Sequence, residues 1–200
     1  MYGRLHGSNT GYFADGKVRH QYTFKDGAKV GTNTDYYHNG QIQTQEKFTN
    51  GFDSELNAFD SLGTKQFEKH FRKGKPHGSW LLYMANGKNL SAKETYLDGQ
   101  LNGLRTTYHL NGQKKTEEMW KFDMLTGPVK NFYEDGKLLS QCDFRGNRMH
   151  GLYTSYWPNG KIKEQGEYVA NKKHKEWKEF DEEGKLVKSL MFKAGILINP

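Results

Sequence analysis

The sequence predicts an all-β protein: an elongated single-layer array of about eight antiparallel β-hairpin repeats, each about 24 residues long. A turn glycine recurs along the chain, an aromatic residue stands four residues before each of these glycines, and a second aromatic column follows about eight residues after. The turn glycines are Gly16, Gly40, Gly63, Gly87, Gly112, Gly136, Gly160 and Gly184. This regular spacing predicts a repeat architecture.

Each repeat is predicted to contain two short strands joined by a tight turn. Aromatic residues favour strands, and an Asn-Gly or Asp-Gly pair supplies the positive φ angles that hairpin turns need. Six of the eight turns carry such a pair; Leu62-Gly63 and Glu183-Gly184 depart from it. A second bend is expected eleven residues after the turn, where Gly, Asn or Asp stands, as in Asp123, Asn147 and Asn171.

Alternation along the second strand predicts which side chains share a face. Residues two, four, six and eight positions after the turn lie on one side of a strand, for example Leu138, Ser140, Cys142 and Phe144. The two ends of this face carry apolar side chains, and its middle carries both polar and apolar ones. This pattern is typical of a sheet with a thin core.

The array is predicted to occupy residues 1–195 as one domain, with residues 196–200 as a C-terminal cap or tail, because terminal repeats expose an edge that needs covering. The third repeat is irregular: residues 52–62 carry Leu62 where other repeats have Asn or Asp. It is read either as a degenerate hairpin or as a specialised binding insertion.

Composition limits the classes of function. The formal net charge of +7 and pI near 9.2 allow attraction to an acidic protein, an anionic membrane or nucleic acid. Cys142 is the only cysteine, so no disulfide within the chain is expected. The lack of a signal-peptide pattern and the single cysteine favour a cytoplasmic location as an expectation. The sequence contains no run of 18 apolar residues, so no membrane-spanning helix is expected.

No motif for catalysis, metal binding or a cofactor stands out. Histidines such as His77 and His150 recur at one repeat position, which favours a structural role. Turn carboxylates such as Asp15 and Asp135 suit turn geometry, and the many glycines are explained by the repeat. We therefore expect no enzyme activity, no metal and no cofactor.

The position three residues before each turn glycine varies and carries a candidate protein-binding face. If the neighbouring aromatic column is core, large side chains at this position lie on the outer face, where a row of aromatics suits a partner protein. These residues are Phe13, Tyr37, Tyr133 and Trp157. The alternative is that sheet curvature partly covers both faces.

The stretch from Gly151 to Lys161, GLYTSYWPNGK, followed by GEYV at 166–169, resembles the bacterial variant of the MORN repeat. The resemblance covers nearly the whole chain and implies the hairpin fold. Proteins of this type are commonly described as YwqK-type antitoxins, whereas eukaryotic MORN proteins are described as membrane-associated scaffolds that dimerise or contact phosphoinositides. The resemblance implies binding rather than catalysis.

Two hypotheses of function follow. The first is a non-catalytic protein-binding scaffold, an antitoxin or immunity protein that neutralises a toxin by covering its surface. The alternative is a peripheral membrane module, in which a lysine cluster approaches anionic phospholipid. That cluster comprises Lys161, Lys163, Lys172, Lys173 and Lys175. Nucleic acid ranks third, and a homodimer through the terminal repeats is a further expectation.

Overall fold

The structure, a computed structural model, describes residues 3–198 and is all-β in this range. The chain divides into two compact units, Met1–Gln100 and Leu101–Pro200. Within each unit, hairpins follow one another along the chain, and neighbouring strands pair in the antiparallel sense. The predicted all-β architecture of hairpin repeats is confirmed.

The first unit contains ten strands: β1 (Gly7–Tyr12), β2 (Val18–Lys25), β3 (Ala28–Lys29), β4 (Gly31–Tyr36), β5 (Ile42–Phe48), β6 (Ser54–Phe59), β7 (Lys65–Arg72), β8 (Lys75–Pro76), β9 (Gly78–Tyr83) and β10 (Leu90–Leu97). The short strand β11 (Gln100–Leu101) lies where the first unit ends and the second begins.

The second unit contains β12 (Gly103–Tyr108), β13 (Lys114–Lys121), β14 (Met124–Phe132), β15 (Leu138–Arg145), β16 (Arg148–Tyr156), β17 (Ile162–Val169), β18 (Lys172–Phe180), β19 (Leu186–Lys193) and β20 (Ile196–Ile198). The domain boundary predicted at residue 195 stays a prediction. Residues 196–198 pair with β19, while residues 199–200 of the expected cap lie outside the described residues.

The hairpin turns share one hydrogen-bond pattern. At the turn of Gly160, the amide of Trp157 donates to the carbonyl of Lys161 at 2.8 Å, and the amide of Gly160 donates back to Trp157 at 2.8 Å. The Asn159 side chain accepts from the Lys161 amide at 2.9 Å. The turn glycine has φ of 86°, a value that glycine adopts without steric cost.

Two faces are distinguished by cross-strand pairing, because directly paired residues share a face. In the second unit one face carries Trp120, Cys142, Tyr153, Tyr168 and Trp177; we call it the tryptophan face. The opposite, polar face carries the paired row Gln141, Thr154, Gln165, Lys178 and Ser189.

The predicted sharing of one face by alternate residues of the second strand is confirmed in β15 for three of the four residues; Leu138 instead pairs with Phe132 beyond a shift of register. Ser140, Cys142 and Phe144 pair with Asn131, Val129 and Gly127 on the tryptophan face. Few apolar residues of the described part of the chain are buried: Cys142 and Trp177 in the second unit, and Ala58 and Ala92 in the first.

The aromatic column four residues before the turn lies elsewhere than expected for a core. The strand register shifts by one residue at this position, for example between Ser155 and Tyr156. Tyr156 then accepts a hydrogen bond from Gln141 of the polar face at 3.4 Å, and Tyr12 is 60% exposed. Because Tyr156 stands two residues after Thr154 of the polar face, alternation along the strand places this column away from the tryptophan face, whose core is formed by the column after the turn.

Candidate binding surface

The side chains three residues before the turn link one repeat to the next. Several donate to the carbonyl of the aromatic residue that begins the following turn: Tyr37 to Phe59 at 3.0 Å, His109 to Phe132 at 2.9 Å when its Nε2 carries the proton, Tyr133 to Tyr156 at 2.7 Å, and Trp157 to Phe180 at 3.0 Å. All four side chains are half-buried.

Three of the predicted anchors, Tyr37, Tyr133 and Trp157, therefore have a structural role at the repeat junctions. Phe13 has no polar atom for such a bond; its ring packs edge-on against His38, with centroids 5.1 Å apart. Each of these side chains retains partial exposure. A role of Phe13, Tyr37, Tyr133 and Trp157 in binding a partner stays a prediction.

The predicted lysine cluster is largely engaged within the protein. Lys173 contacts Glu164 and Lys175 contacts Glu167, each at 2.7 Å, and Lys161 donates to the Glu183 carbonyl at 2.9 Å. The side-chain nitrogen of Lys163 lies 4.4 Å from the centre of the Trp157 ring, and Lys172 begins β18 as an exposed residue. Hydrogen bonding to Lys175 lowers the pKa of the Glu167 carboxyl.

The structure brings one predicted anchor and one predicted lysine into a single pocket. This pocket, of about 490 Å³, is lined by Trp157, Lys163, Glu164, Glu179, Phe180, Asp181 and Val187. We call it the Trp157 pocket. Trp157 is fixed by its bond to the Phe180 carbonyl, and Val187 is 66% exposed. Aromatic and aliphatic walls thus combine with three carboxylates in a solvent-accessible depression.

Sequence reasoning missed the acidic side of this pocket. Glu164 follows its turn glycine by four residues and Glu179 precedes the next one by five, and the two pair directly across β17 and β18. Applying this pairing to the aligned repeats would have placed the two carboxylates together. Asp181 stands at the variable position, but its lack of an aromatic ring left it outside the predicted anchors.

An aromatic cluster lies on the tryptophan face of strands β16 to β18. The Trp177 ring is 2% exposed and packs against Tyr153 and Tyr168, with centroids 5.6 and 4.8 Å away. Lys173 lies over the same indole at 3.8 Å while contacting Glu164. The burial of this cluster fits a structural role.

Two titratable groups outside this surface, Cys142 and Tyr22, are held in structural contacts. Burial raises the pKa of the Cys142 thiol to about 11, which keeps it protonated and unreactive near neutral pH. Burial and a short hydrogen bond from Tyr22 to Asp35 raise the pKa of Tyr22 to about 12. Across residues 3–198, no three His, Cys, Asp or Glu side chains gather as metal ligands.

No helix long and apolar enough to cross a membrane occurs in the described part of the chain.

Comparison with family models gives one match. The model described as "MORN repeat variant" matches residues 5–26, 29–50, 101–121, 125–145, 149–170 and 173–194, which together exceed half of the chain. These stretches leave out residues 51–100, where the structure nevertheless shows the hairpins β6–β7 and β9–β10. Repeats of this family are binding modules.

Comparison with curated proteins gives no match. Among solved structures, the chain is similar to one described as "Crystal Structure of TarM", with 10% identity and a TM-score of 0.25 over 78% of this chain and 20% of that chain. The chain therefore spans about a fifth of that protein's length.

Proposed function

We propose that this chain, which belongs to the MORN repeat variant family, is a non-catalytic scaffold that binds another protein through the surface around the Trp157 pocket of its second unit. The observation that carries the proposal is the Trp157 pocket, where Trp157 and Phe180 flank a Val187 side chain that is 66% exposed. Partly exposed aromatic and aliphatic side chains beside polar groups are typical of the anchor points of protein interfaces.

We further propose that the bound protein is a toxin and that the chain neutralises it by covering its surface. The resemblance of the repeats to YwqK-type antitoxins supports this identity of the partner. The sheet face supports the mode of action, since an open surface can cover a partner without performing a reaction on it.

The state of the lysine cluster favours a protein partner over an anionic membrane. Four of its five side chains contact a carboxylate, a carbonyl oxygen or an aromatic ring within the chain. A lysine that already pairs with a neighbouring carboxylate contributes less to the local positive potential that attracts lipid headgroups. Anionic lipid binding is therefore the alternative that the experiment must separate.

The test isolates the protein retained by the tagged chain from its native cells and then expresses that protein alone and together with the chain. We expect expression alone to arrest growth and coexpression to restore it, with inhibition complete at a fixed molar ratio in a purified mixture. A retained protein that is harmless, or that stays fully active when bound, would contradict the toxin proposal.

A further inference from the structure

The Trp157 pocket combines apolar walls with three carboxylates and one lysine, Lys163. Glu179 has no hydrogen-bond or ion-pair partner among residues 3–198 and is exposed. Glu164 bonds Lys173 at 2.7 Å, and Asp181 accepts from the Lys185 amide at 2.7 Å. Glu179 is thus the carboxylate of this pocket that remains available to a ligand.

The pairing of the strands places like charges together at this point. Glu179 lies directly opposite Glu164 on one side and opposite Lys188 on the other, and Lys188 forms no ion pair with it. Like charges directly opposite each other across a sheet repel. A cation bound between the pocket walls would relieve this repulsion and pair with Glu179.

Lys163 shows that a cation fits against the aromatic wall. Its side-chain nitrogen lies 4.4 Å from the Trp157 ring centre, and the residue is exposed. An arginine has a planar guanidinium that stacks on aromatic rings and pairs with carboxylates in a fixed geometry, so it suits this combination better than a lysine. Its aliphatic stem would contact Val187.

We propose that the Trp157 pocket receives an arginine side chain of the protein partner, stacked on Trp157 and paired with Glu179. This inference rests on the proposed scaffold function, because it takes the binding surface to include the Trp157 pocket. It names the chemistry of the partner's contact residue.

The pocket can be tested without the partner by using N-acetyl-arginine N-methylamide as the probe. Titration of the ¹⁵N-labelled protein is followed through the indole N–H resonance of Trp157. We expect a saturable shift with the arginine probe and none with the citrulline analogue, which has the same shape without the charge. Equal shifts for both probes, or no shift with arginine, would overturn the proposal.

Substitutions of pocket residues test whether the arginine probe binds in the Trp157 pocket. Glu179→Gln is expected to weaken the arginine probe about threefold, the effect of losing one exposed ion pair. Lys163→Met is expected to tighten it, because the resident cation over Trp157 is removed. The control is Glu176→Gln: this exposed carboxylate lies outside the pocket, where it accepts from Ser189 at 2.8 Å and contacts Lys178 at 3.0 Å, and the variant should leave binding unchanged.

Different results would overturn the scaffold proposal and the arginine proposal. A saturable arginine shift with no retained protein partner would overturn the scaffold proposal and leave the cation-binding chemistry of the pocket in place. A tight protein partner whose binding is unaffected by Glu179→Gln and Lys163→Met would support the scaffold and overturn the arginine contact.

Discussion

At the scale of single residues, a missing side chain makes room for the most buried ring of the second unit. A Cβ atom added to Gly166 would lie 2.2 Å from the Trp177 ring, and Trp177 is 2% exposed. Gly11 of the first unit stands in the same relation to the His20 ring, also at 2.2 Å. Glycine is required here for close approach of a ring rather than for a turn.

Gly166→Ala is expected to destabilise the protein by about 2 kcal/mol, because the added methyl group forces Trp177 out of its packed position. The measurement is urea unfolding, with a lower midpoint at unchanged slope. Gly11→Ala is the matched control. His20 is partly exposed, so its ring can shift toward solvent and the Gly11→Ala variant should lose less stability. Equal losses for both variants would contradict this explanation.

At the scale of one hairpin, two turns replace the usual Asn or Asp before the glycine by a different device. Where Leu62 stands at that place, Asp60 accepts from the amides of Leu62 and Thr64 at 2.9 Å each. Where Glu183 stands there, Asp181 accepts from the Lys185 amide at 2.7 Å. In both turns a carboxylate two residues before the usual position accepts hydrogen bonds from backbone amides of the turn.

The Asp60 turn predicts a pH dependence of stability. The backbone bond from Thr64 comes first among the causes that lower the pKa of Asp60. A lowered folded-state pKa means that its stabilisation is complete above the ordinary aspartate pKa and is lost as pH falls through the lower value. Asp60→Ala should therefore reduce stability at pH 6 and matter progressively less in acid.

The control for this prediction is Asp60→Asn, which keeps an acceptor oxygen and removes the ionisable group. It should retain more of the stability at neutral pH than Asp60→Ala, and the free energy of unfolding is measured for both against pH. A deficit of Asp60→Ala that grows in acid would contradict the assigned role.

Consecutive repeats of the second unit are joined at the second bend. The amide of Asn171 donates to the carbonyl of Met149 at 3.0 Å, and its side-chain oxygen accepts from the Met149 amide at 2.7 Å. Asn147 and Leu125 repeat this two-bond contact. Gly195 makes the backbone bond alone, to Lys173 at 2.8 Å. Asparagine at this bend therefore does two things: it tolerates positive φ, and its side chain adds a hydrogen bond that stabilises the junction between repeats.

Asn171→Gly is expected to cost about 1 kcal/mol, because one hydrogen bond is lost while the φ of 69° remains acceptable. Asn171→Ala should cost more, since alanine is strained at that φ. Urea unfolding of both variants checks the order. Unchanged stability in Asn171→Gly would show that the side-chain bond contributes nothing.

At the scale of the whole molecule, repeat spacing predicted the hairpins because turn glycines and strand aromatics act locally. Every turn glycine from Gly16 to Gly184 has positive φ, including the two turns that lack Asn or Asp. The shared face of Ser140, Cys142 and Phe144 followed from strand alternation. These features depend on residues within one repeat.

The candidate surface was less predictable because it depends on contacts between repeats. The bond from Trp157 to the Phe180 carbonyl spans 23 residues. The pairing of Glu164 with Glu179 likewise joins two repeats. A pattern read within one repeat shows neither contact, which is why Trp157 and Lys163 were predicted separately and Glu179 was missed.

The measurement that tests the central claim most directly is capture of partners by the tagged chain from its native cells, at low and at high salt, with protein and lipid both identified. A protein-binding scaffold predicts one protein retained in a fixed ratio at high salt, because apolar contacts persist when exposed charges are screened. Recovery of anionic lipid alone, lost at high salt, would contradict the claim.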